Sequence, residues 1–160
     1  MASILKNLSD YSTEGISAHG MSFGIVVSSW NHEITEALYN GALETLLSLG
    51  ADPAAIHRRN VPGSYELPLG AKWVADQLKP DAIICLGCVI QGETRHFDFI
   101  CDAVANGLMD LNLRYSLPFI FGVLTPNDQQ QAIERAGGKH GNKGIEAAVT
   151  AVKMVQLHRQ

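Results

Sequence analysis

The sequence predicts an α/β fold, a three-layer α/β/α sandwich whose middle layer is a four-stranded parallel sheet. Short apolar runs alternate along the chain with longer segments in which apolar residues recur every three or four positions. Strands that alternate with helices favour a parallel sheet with helices on both faces. The 160 residues, 46% of them hydrophobic, suit a single domain with its own core. We expect an N-terminal extension at residues 1–20 and one domain at residues 21–160.

Four runs are predicted to be strands because they are short, largely apolar and followed by turn-forming or polar residues. Their predicted bounds are residues 22–28, 56–61, 81–89 and 118–124. Polar residues at 57–60 make the second run the least apolar of the set. The third run, which contains Ala82 to Leu86, is predicted to be the central strand.

Five segments with the helical spacing of apolar residues are predicted to be helices. They cover residues 32–49, 66–78, 97–115, 128–136 and 142–158. Asn31 is predicted to cap the first helix, because an asparagine side chain there accepts a hydrogen bond from a backbone N–H. Pro68 is compatible with the first turn of the second helix. Gly137 and Gly138 are predicted to separate the fourth helix from the fifth.

The composition argues against two classes of partner. A net charge of -4, from 12 Lys and Arg against 16 Asp and Glu, gives no basic surface for nucleic acid. No apolar stretch approaches the ~20 residues of a membrane span, and residues 1–10 lack the apolar core of a secretory signal. We therefore expect no nucleic acid and no membrane as partners, and a cytoplasmic location.

Cys85 and Cys88 have the C-x-x-C spacing of some redox and metal sites. Both lie in or just after the apolar run of the third strand, and no second cysteine pair completes a zinc site. We predict buried free thiols, with no metal site.

The loops that follow the four strands carry the candidate functional residues, since ligands of such sheets bind outside the carboxyl ends of the strands. Trp30 offers an aromatic face, Glu66 a carboxylate, and His96 a proton carrier near neutral pH. Residues 87–96 form a glycine-bearing turn whose backbone amides open the third helix and favour an anion. The combination predicts a site for a phosphorylated small molecule. Alternatively, Trp30 is a packed core or interface aromatic, Tyr65 fills space and Glu66 serves the dipole of its helix. Residues 87–96 would then be a strand-to-helix turn with a surface histidine.

Arg135 and Lys143 flank a glycine-rich turn at residues 136–142. Such a turn can clamp phosphate, with arginine as a fork and lysine as a point charge, although it lacks the P-loop pattern. The alternative is a flexible turn between helices with ordinary surface cations.

Three blocks of the sequence resemble, in order and spacing, the motif blocks of the lumazine synthase family. They are Val61–Pro68, Gly87–Asp98 and Ile133–Gly144, and the resemblance extends from about Phe23 to Val155. It implies a flavodoxin-like sheet and the penultimate step of riboflavin biosynthesis. In that step 5-amino-6-(D-ribitylamino)uracil condenses with 3,4-dihydroxy-2-butanone 4-phosphate to give 6,7-dimethyl-8-ribityllumazine, phosphate and water, without a metal or an organic cofactor.

The resemblance also implies a role for each residue at a matching position. Trp30 stacks on the pyrimidine ring, and His96 shuttles protons. The pyrimidine and its ribityl chain are held by Asn31, Ser64, Tyr65, Glu66, Val89 and Ile90, and the pocket is closed by Phe121 and Lys143. The phosphate is bound by Gly92, Glu93, Thr94 and Arg135, the glutamate through its backbone.

Oligomerisation is a further implication of the resemblance, because Phe121, Arg135 and Lys143 come from the neighbouring subunit in this family. The expected assembly is a pentamer or a shell of twelve pentamers, and the compact glycine turn, which carries no insertion, favours the shell. Riboflavin synthase is a further candidate partner.

Other functions remain open at this point. A non-catalytic flavin-binding or shell-forming homologue on the same scaffold would keep Trp30 yet could dispense with His96 or Arg135, both of which are present. A flavodoxin-like electron carrier would need a phosphate loop of small residues where the bulky segment 28–31 stands. Another phosphosugar enzyme would need a Schiff-base lysine or a metal site that the sequence does not identify.

Overall fold

The computed structural model describes Asn7, Ser9 and residues 12–160, so part of the predicted N-terminal extension lies outside the described residues. Its main sheet has four strands: β1 (Phe23–Ser28), β2 (Ile56–Val61), β3 (Ala82–Cys88) and β4 (Phe119–Leu124). All three strand pairs are parallel and the order is β2-β1-β3-β4. The predicted fold class is confirmed. β2 lies at an edge of the sheet, which explains why its residues are only partly buried.

Five α-helices follow the predicted pattern, and neither end of any helix differs from its predicted position by more than one residue. They are α1 (His32–Ser48), α2 (Leu67–Leu78), α3 (His96–Tyr115), α4 (Gln129–Arg135) and α5 (Lys143–His158). A short 3-10 turn, Ser64–Glu66, precedes α2. Within the described part of the chain, no helix is both long and apolar enough to cross a membrane.

The segment around Gly137 and Gly138 does more than break a helix. Residues Ala136–Gly138 (β5) pair antiparallel with Gly141–Asn142 (β6) in a small hairpin between α4 and α5. Gly137 and Gly141 have φ angles of 110° and 87°, which glycine adopts without a steric cost. The hairpin thereby joins the end of α4 to the start of α5.

Two apolar cores lie on opposite faces of the sheet and give the fold its three layers. Alternate residues of β1 divide between them, because side chains of a strand point to opposite faces. Phe23, Ile25 and Val27 pack with residues of α1 and α5, whereas Val26 packs with residues of α2 and α3. This sandwich holds the four strand ends rigidly at one edge, where the loops that follow them meet.

The two cysteines of the C-x-x-C pattern contribute to different cores. Cys88 belongs to the core under α1 and α5, and Cys85 to the core under α2 and α3. Both thiols are free and buried, as predicted. Burial raises the pKa of Cys88 to about 12 and raises that of Cys85 as well, so neither thiol ionises near neutral pH.

The outer edge of β4 is occupied at one point by a side chain of α3. The Asn112 side-chain nitrogen donates to the backbone oxygen of Phe119 at 2.9 Å, and its side-chain oxygen accepts from the Phe119 N–H at 2.9 Å. A third bond, to the Leu108 carbonyl at 2.8 Å, anchors the amide to its own helix. Asn112 therefore satisfies both backbone groups of Phe119 at this edge.

Candidate active site

A cavity of about 190 Å³ lies at the carboxyl edge of the sheet, where the loops after β1, β2 and β3 converge. We call it the aromatic pocket. It is lined by Trp30, Asn31, Ser64, Tyr65, Cys88, Val89, Ile90, His96 and Ile100. Seven of these nine lining residues were predicted from the sequence to be site residues. The other two, Cys88 and Ile100, were not. The topology brings these loops together because parallel strands end at the same edge.

Trp30 forms an exposed aromatic wall, with 68% of its surface accessible. Its backbone N–H donates to the Pro62 carbonyl at 3.0 Å, which ties the loop after β1 to the loop after β2. The ring lies directly against Gly63, where an added Cβ would stand 2.6 Å from the Cε3 atom of Trp30. Gly63 is therefore what allows the ring to lie there.

Asn31 occupies the N-cap position of α1, but the predicted hydrogen bond to its side chain is not formed, so that part of the prediction is wrong. Its backbone adopts the left-handed conformation, with φ 59°, and no cap hydrogen bond from its side chain is formed. Instead its Nδ2 donates to the Cys88 carbonyl at 2.9 Å. The left-handed backbone directs the amide across the sheet edge, where it joins the loop after β1 to the end of β3.

Ser64 and Glu66 occupy the turn before α2. The Glu66 carboxylate accepts the Gly63 N–H at 3.0 Å and so closes the turn beneath Trp30. The Ser64 hydroxyl is buried without a hydrogen-bond partner among the described residues. An added Cβ at Gly87 would lie 2.5 Å from that hydroxyl, so the glycine makes room for it. Tyr65 is exposed at the rim of the aromatic pocket.

The segment between β3 and α3 is hydrogen-bonded to the end of β4 in its first part and exposed to solvent in its last part. The Val89 N–H donates to the Leu124 carbonyl at 2.9 Å, and the Gln91 N–H to the Pro126 carbonyl at 3.0 Å. Residues 92–94 are exposed and lead directly into α3, which begins at His96. The open turn therefore presents backbone groups beside the exposed His96 ring, at a helix N-terminus that favours an anion.

Phe121, Arg135 and Lys143 lie elsewhere on the chain. They line a second cavity, of about 340 Å³, next to the end of β4. We call it the cationic pocket. Its other lining residues are Val123, Leu124, Thr125, Pro126 and Gln131. Within one chain the structure therefore groups the predicted site residues in two separate places.

Glu146, which the sequence did not single out, organises the cationic pocket. Only 6% of this residue is exposed. Its Oε2 accepts from Arg135 at 2.6 Å, and its Oε1 lies 3.8 Å from the Lys143 ammonium. Arg135 also donates to the His140 carbonyl at 2.7 Å. One buried carboxylate thus faces two cations, so a positive charge is left over to attract an anion.

The sequence contained a signal for Glu146 that is easy to pass over. It stands three residues after Lys143, and residues at that spacing share one face of a helix. In a mostly apolar helix, a single carboxylate near the N-terminus looks like an ordinary favourable charge for the dipole. Only the fold, which brings the last residue of α4 to the first turn of α5, reveals that Glu146 faces Arg135.

Comparisons with known proteins identify what this arrangement resembles. The family model described as 6,7-dimethyl-8-ribityllumazine synthase matches residues 20–159. A protein of that name from Cytophaga hutchinsonii is 60% identical over 155 residues, which cover 97% of this chain and 98% of the relative. Relatives with the same name from Flavobacterium johnsoniae and Parabacteroides distasonis are 53% and 51% identical. These two alignments cover 100% and 98% of this chain, and 85% and 99% of the relatives.

Proposed function

The chain belongs to the 6,7-dimethyl-8-ribityllumazine synthase family, and from this membership we propose how its two pockets divide the work of the reaction. The enzyme condenses 5-amino-6-(D-ribitylamino)uracil with 3,4-dihydroxy-2-butanone 4-phosphate to give 6,7-dimethyl-8-ribityllumazine, phosphate and water. This is the penultimate step of riboflavin biosynthesis.

The observation that carries our proposal is the separation of the two pockets. The aromatic pocket contains the ring-binding face and His96, whereas Arg135 and Lys143 line the cationic pocket. We propose that each complete site forms between two copies of the chain, with the aromatic pocket of one subunit against the cationic pocket of the next. The assembly would be a pentamer, or a shell of twelve pentamers. Phe121, which is 38% exposed on β4, would then close the pocket of the neighbouring subunit.

In this arrangement the aromatic pocket binds the pyrimidine. Trp30 stacks on the ring. The ring and the ribityl chain are held by Asn31, Ser64, Tyr65, Glu66, Val89 and Ile90. Five of these six residues, all except Glu66, line the aromatic pocket, which supports the assignment.

The phosphate of the second substrate lies between the two subunits. Backbone groups of Gly92 and Glu93, together with the Thr94 hydroxyl, face it from the start of α3. Arg135 of the neighbouring subunit supplies the guanidinium fork, and Lys143 adds a second positive charge. This cradle orients the ketone carbon of the phosphorylated substrate toward the amine of the pyrimidine.

His96 moves the protons of the reaction. The amine adds to the ketone carbon and water is lost as the imine forms. A proton then leaves the adjacent carbon while the C–O bond to phosphate breaks, which leaves an enol. The enol takes a proton at its terminal carbon and loses the hydroxyl proton to become a ketone. The second nitrogen adds to this ketone and closes the ring with loss of water. Holding two reactants in register can lower a barrier by ~7–11 kcal/mol at best, whereas a positioned proton carrier typically adds about 10²–10⁴-fold. Positioning is therefore the larger contribution.

We further propose that residues 21–160 act as one domain, which both apolar cores support by packing on the same sheet. The presence of both His96 and Arg135 supports an enzyme over a non-catalytic homologue. Association with riboflavin synthase and a cytoplasmic location stay predictions from the sequence.

The first experiment mixes the purified protein with both substrates and follows the fluorescent lumazine and free phosphate together. We expect catalysed formation of both, one for one. A folded oligomer without catalysis would instead indicate the non-catalytic homologue.

A mixed-subunit experiment tests the shared site. His96→Ala and Arg135→Ala subunits are denatured, mixed and refolded together, and separately as controls. If the two halves come from different chains, about a quarter of the sites in a random mixture regain both residues. Activity of the mixture above that of either refolded parent is expected. Activity that stays at the average of the parents would overturn the proposed sharing.

A further inference from the structure

We propose that Ser9 is a positioning residue for the anion-binding Arg135, acting through the Glu146 carboxylate. The inference rests on the proposed function, because it takes Arg135 to bind the phosphate of the substrate. It gives a part in the reaction to a residue far away in sequence, in the segment predicted from the sequence to be only an extension.

Ser9 contacts the base of the cationic pocket through its hydroxyl. That hydroxyl lies 3.1 Å from Oε2 of Glu146, the same oxygen that accepts from Arg135 at 2.6 Å. It also lies 2.8 Å from the Asn142 carbonyl and accepts the Asn142 N–H at 2.6 Å. Asn142 is the residue directly before Lys143, at the start of α5. One hydroxyl therefore joins the carboxylate to the backbone beside the second cation.

The position of Ser9 is itself fixed from two sides. Its N–H donates to the Asn7 side-chain oxygen at 2.9 Å, which forms a local turn. On the other side it packs against Gly141, where an added Cβ would stand 2.5 Å from the Ser9 hydroxyl. Gly141 is thus required both by its positive φ and by the proximity of Ser9.

The contact matters because Glu146 faces two competing cations. Arg135 contacts one carboxylate oxygen at 2.6 Å, while Lys143 is 3.8 Å from the other. The single hydroxyl proton of Ser9 is shared between the Asn142 carbonyl at 2.8 Å and the Glu146 oxygen used by Arg135 at 3.1 Å. Its interaction with the carboxylate favours the rotamer that keeps the guanidinium in place. Without it, the carboxylate is free to turn toward Lys143. The fork of Arg135 is then less well ordered when phosphate arrives, so the binding of phosphate costs more conformational entropy.

The test compares Ser9→Ala with the wild-type enzyme, using inorganic phosphate as a competitive inhibitor against the phosphorylated substrate. We expect the inhibition constant of phosphate and the KM of the butanone phosphate to rise about 3- to 10-fold, the net effect of one ordinary intramolecular hydrogen bond. The KM of the pyrimidine and kcat are expected to change less than twofold. Ser9→Thr, which retains the hydroxyl, should restore phosphate binding.

Ser12→Ala is the matched control. Ser12 is exposed and its hydroxyl accepts a weak 3.4 Å bond from the Glu14 N–H. Removal of the Ser12 hydroxyl should leave the inhibition constant of phosphate, both KM values and kcat unchanged. Melting temperatures of the three variants separate a general loss of stability from a selective loss of phosphate binding.

The outcomes distinguish this inference from the proposed function. If Arg135→Ala weakens phosphate binding and Ser9→Ala does not, Ser9 has no positioning role and the inference is overturned. If Arg135→Ala also leaves phosphate binding unchanged, the phosphate site itself is wrongly assigned and the inference fails with it. Equal changes in both KM values for Ser9→Ala would indicate a purely structural role and would overturn the inference as well.

Discussion

Gly63→Ala should damage the active site without damaging the fold. Gly63 has φ -128° and ψ 177°, an extended conformation that alanine adopts freely. The added methyl would nevertheless lie 2.6 and 2.7 Å from Cε3 and Cζ3 of Trp30, and 3.2 Å from the Glu66 carboxylate. Because carbon atoms pack at about 3.5–4.0 Å, the Trp30 ring must move by roughly 1 Å.

The size of the effect follows from where the ring can go. Trp30 is 68% exposed, so it can move outward without opening a cavity in the core. Gly63 itself is buried, but the group that must move is on the surface, so we expect the free energy of unfolding to fall by no more than about 1 kcal/mol. Loss of a well-placed aromatic contact costs about 0.5–1.5 kcal/mol, and misplacement by 1 Å can reduce catalysis by up to about 10²-fold. The KM of the pyrimidine should rise about tenfold, with a fall in kcat.

The assay combines steady-state kinetics with tryptophan fluorescence. In a Trp73→Phe background Trp30 is the remaining tryptophan, so quenching by the pyrimidine reports its stacking directly. A double-mutant cycle with Trp30→Ala provides the control, since the methyl has no ring to displace in that background. The reasoning is refuted if Gly63→Ala keeps wild-type kinetics and quenching. It is equally refuted if its effect persists unchanged without the Trp30 ring.

Three further predictions concern single side chains. His96→Ala should lower kcat by about 10²–10⁴-fold without abolishing turnover, and a folded variant that binds both substrates yet has no activity would contradict this. Ser64→Ala should raise the melting temperature, because it removes a buried hydroxyl without a described partner. A lower melting temperature in thermal unfolding would contradict this. The hydrogen bond from Arg58 holds the pKa of Glu36 below its usual 4.5. The ion pair therefore contributes about 1 kcal/mol or less to stability at pH values above 4.5. This contribution is lost as the pH falls through the lowered pKa of Glu36. The difference in melting temperature between wild type and Glu36→Gln should therefore shrink steadily as the pH falls below 4.5, and a difference that does not change with falling pH would contradict the assignment.

The strands β1, β3 and β4 were predictable because they are buried almost throughout and their sequences are correspondingly apolar, whereas the edge strand β2 carries a weaker signal. The apolar run at Ala82 to Leu86 lies within β3, which is buried throughout. The β5–β6 hairpin was missed because a glycine run indicates a turn without indicating what pairs across it. The conformation of Asn31 was also unpredictable, since its left-handed backbone accompanies a side-chain hydrogen bond to the end of β3, which is distant in sequence.

The candidate site was predictable as a set of residues and unpredictable as two pockets. Topology alone places the loops after β1 to β4 at one edge. Their division depends on the strand order, in which β3 separates β1 from β4, so that the loop carrying Trp30 lies away from the end of β4. Glu146 escaped notice because its function depends on Arg135, which lies in another helix.

The Asn112 amide at the edge of β4 protects that point of the edge from pairing with another chain. An unprotected margin of a sheet is a template on which further chains can add strand by strand and grow into fibrils. By matching both backbone groups of Phe119, this amide imitates the strand that would otherwise add there and offers nothing onward to a following one. A single helical residue thus blocks strand addition at this point of the edge.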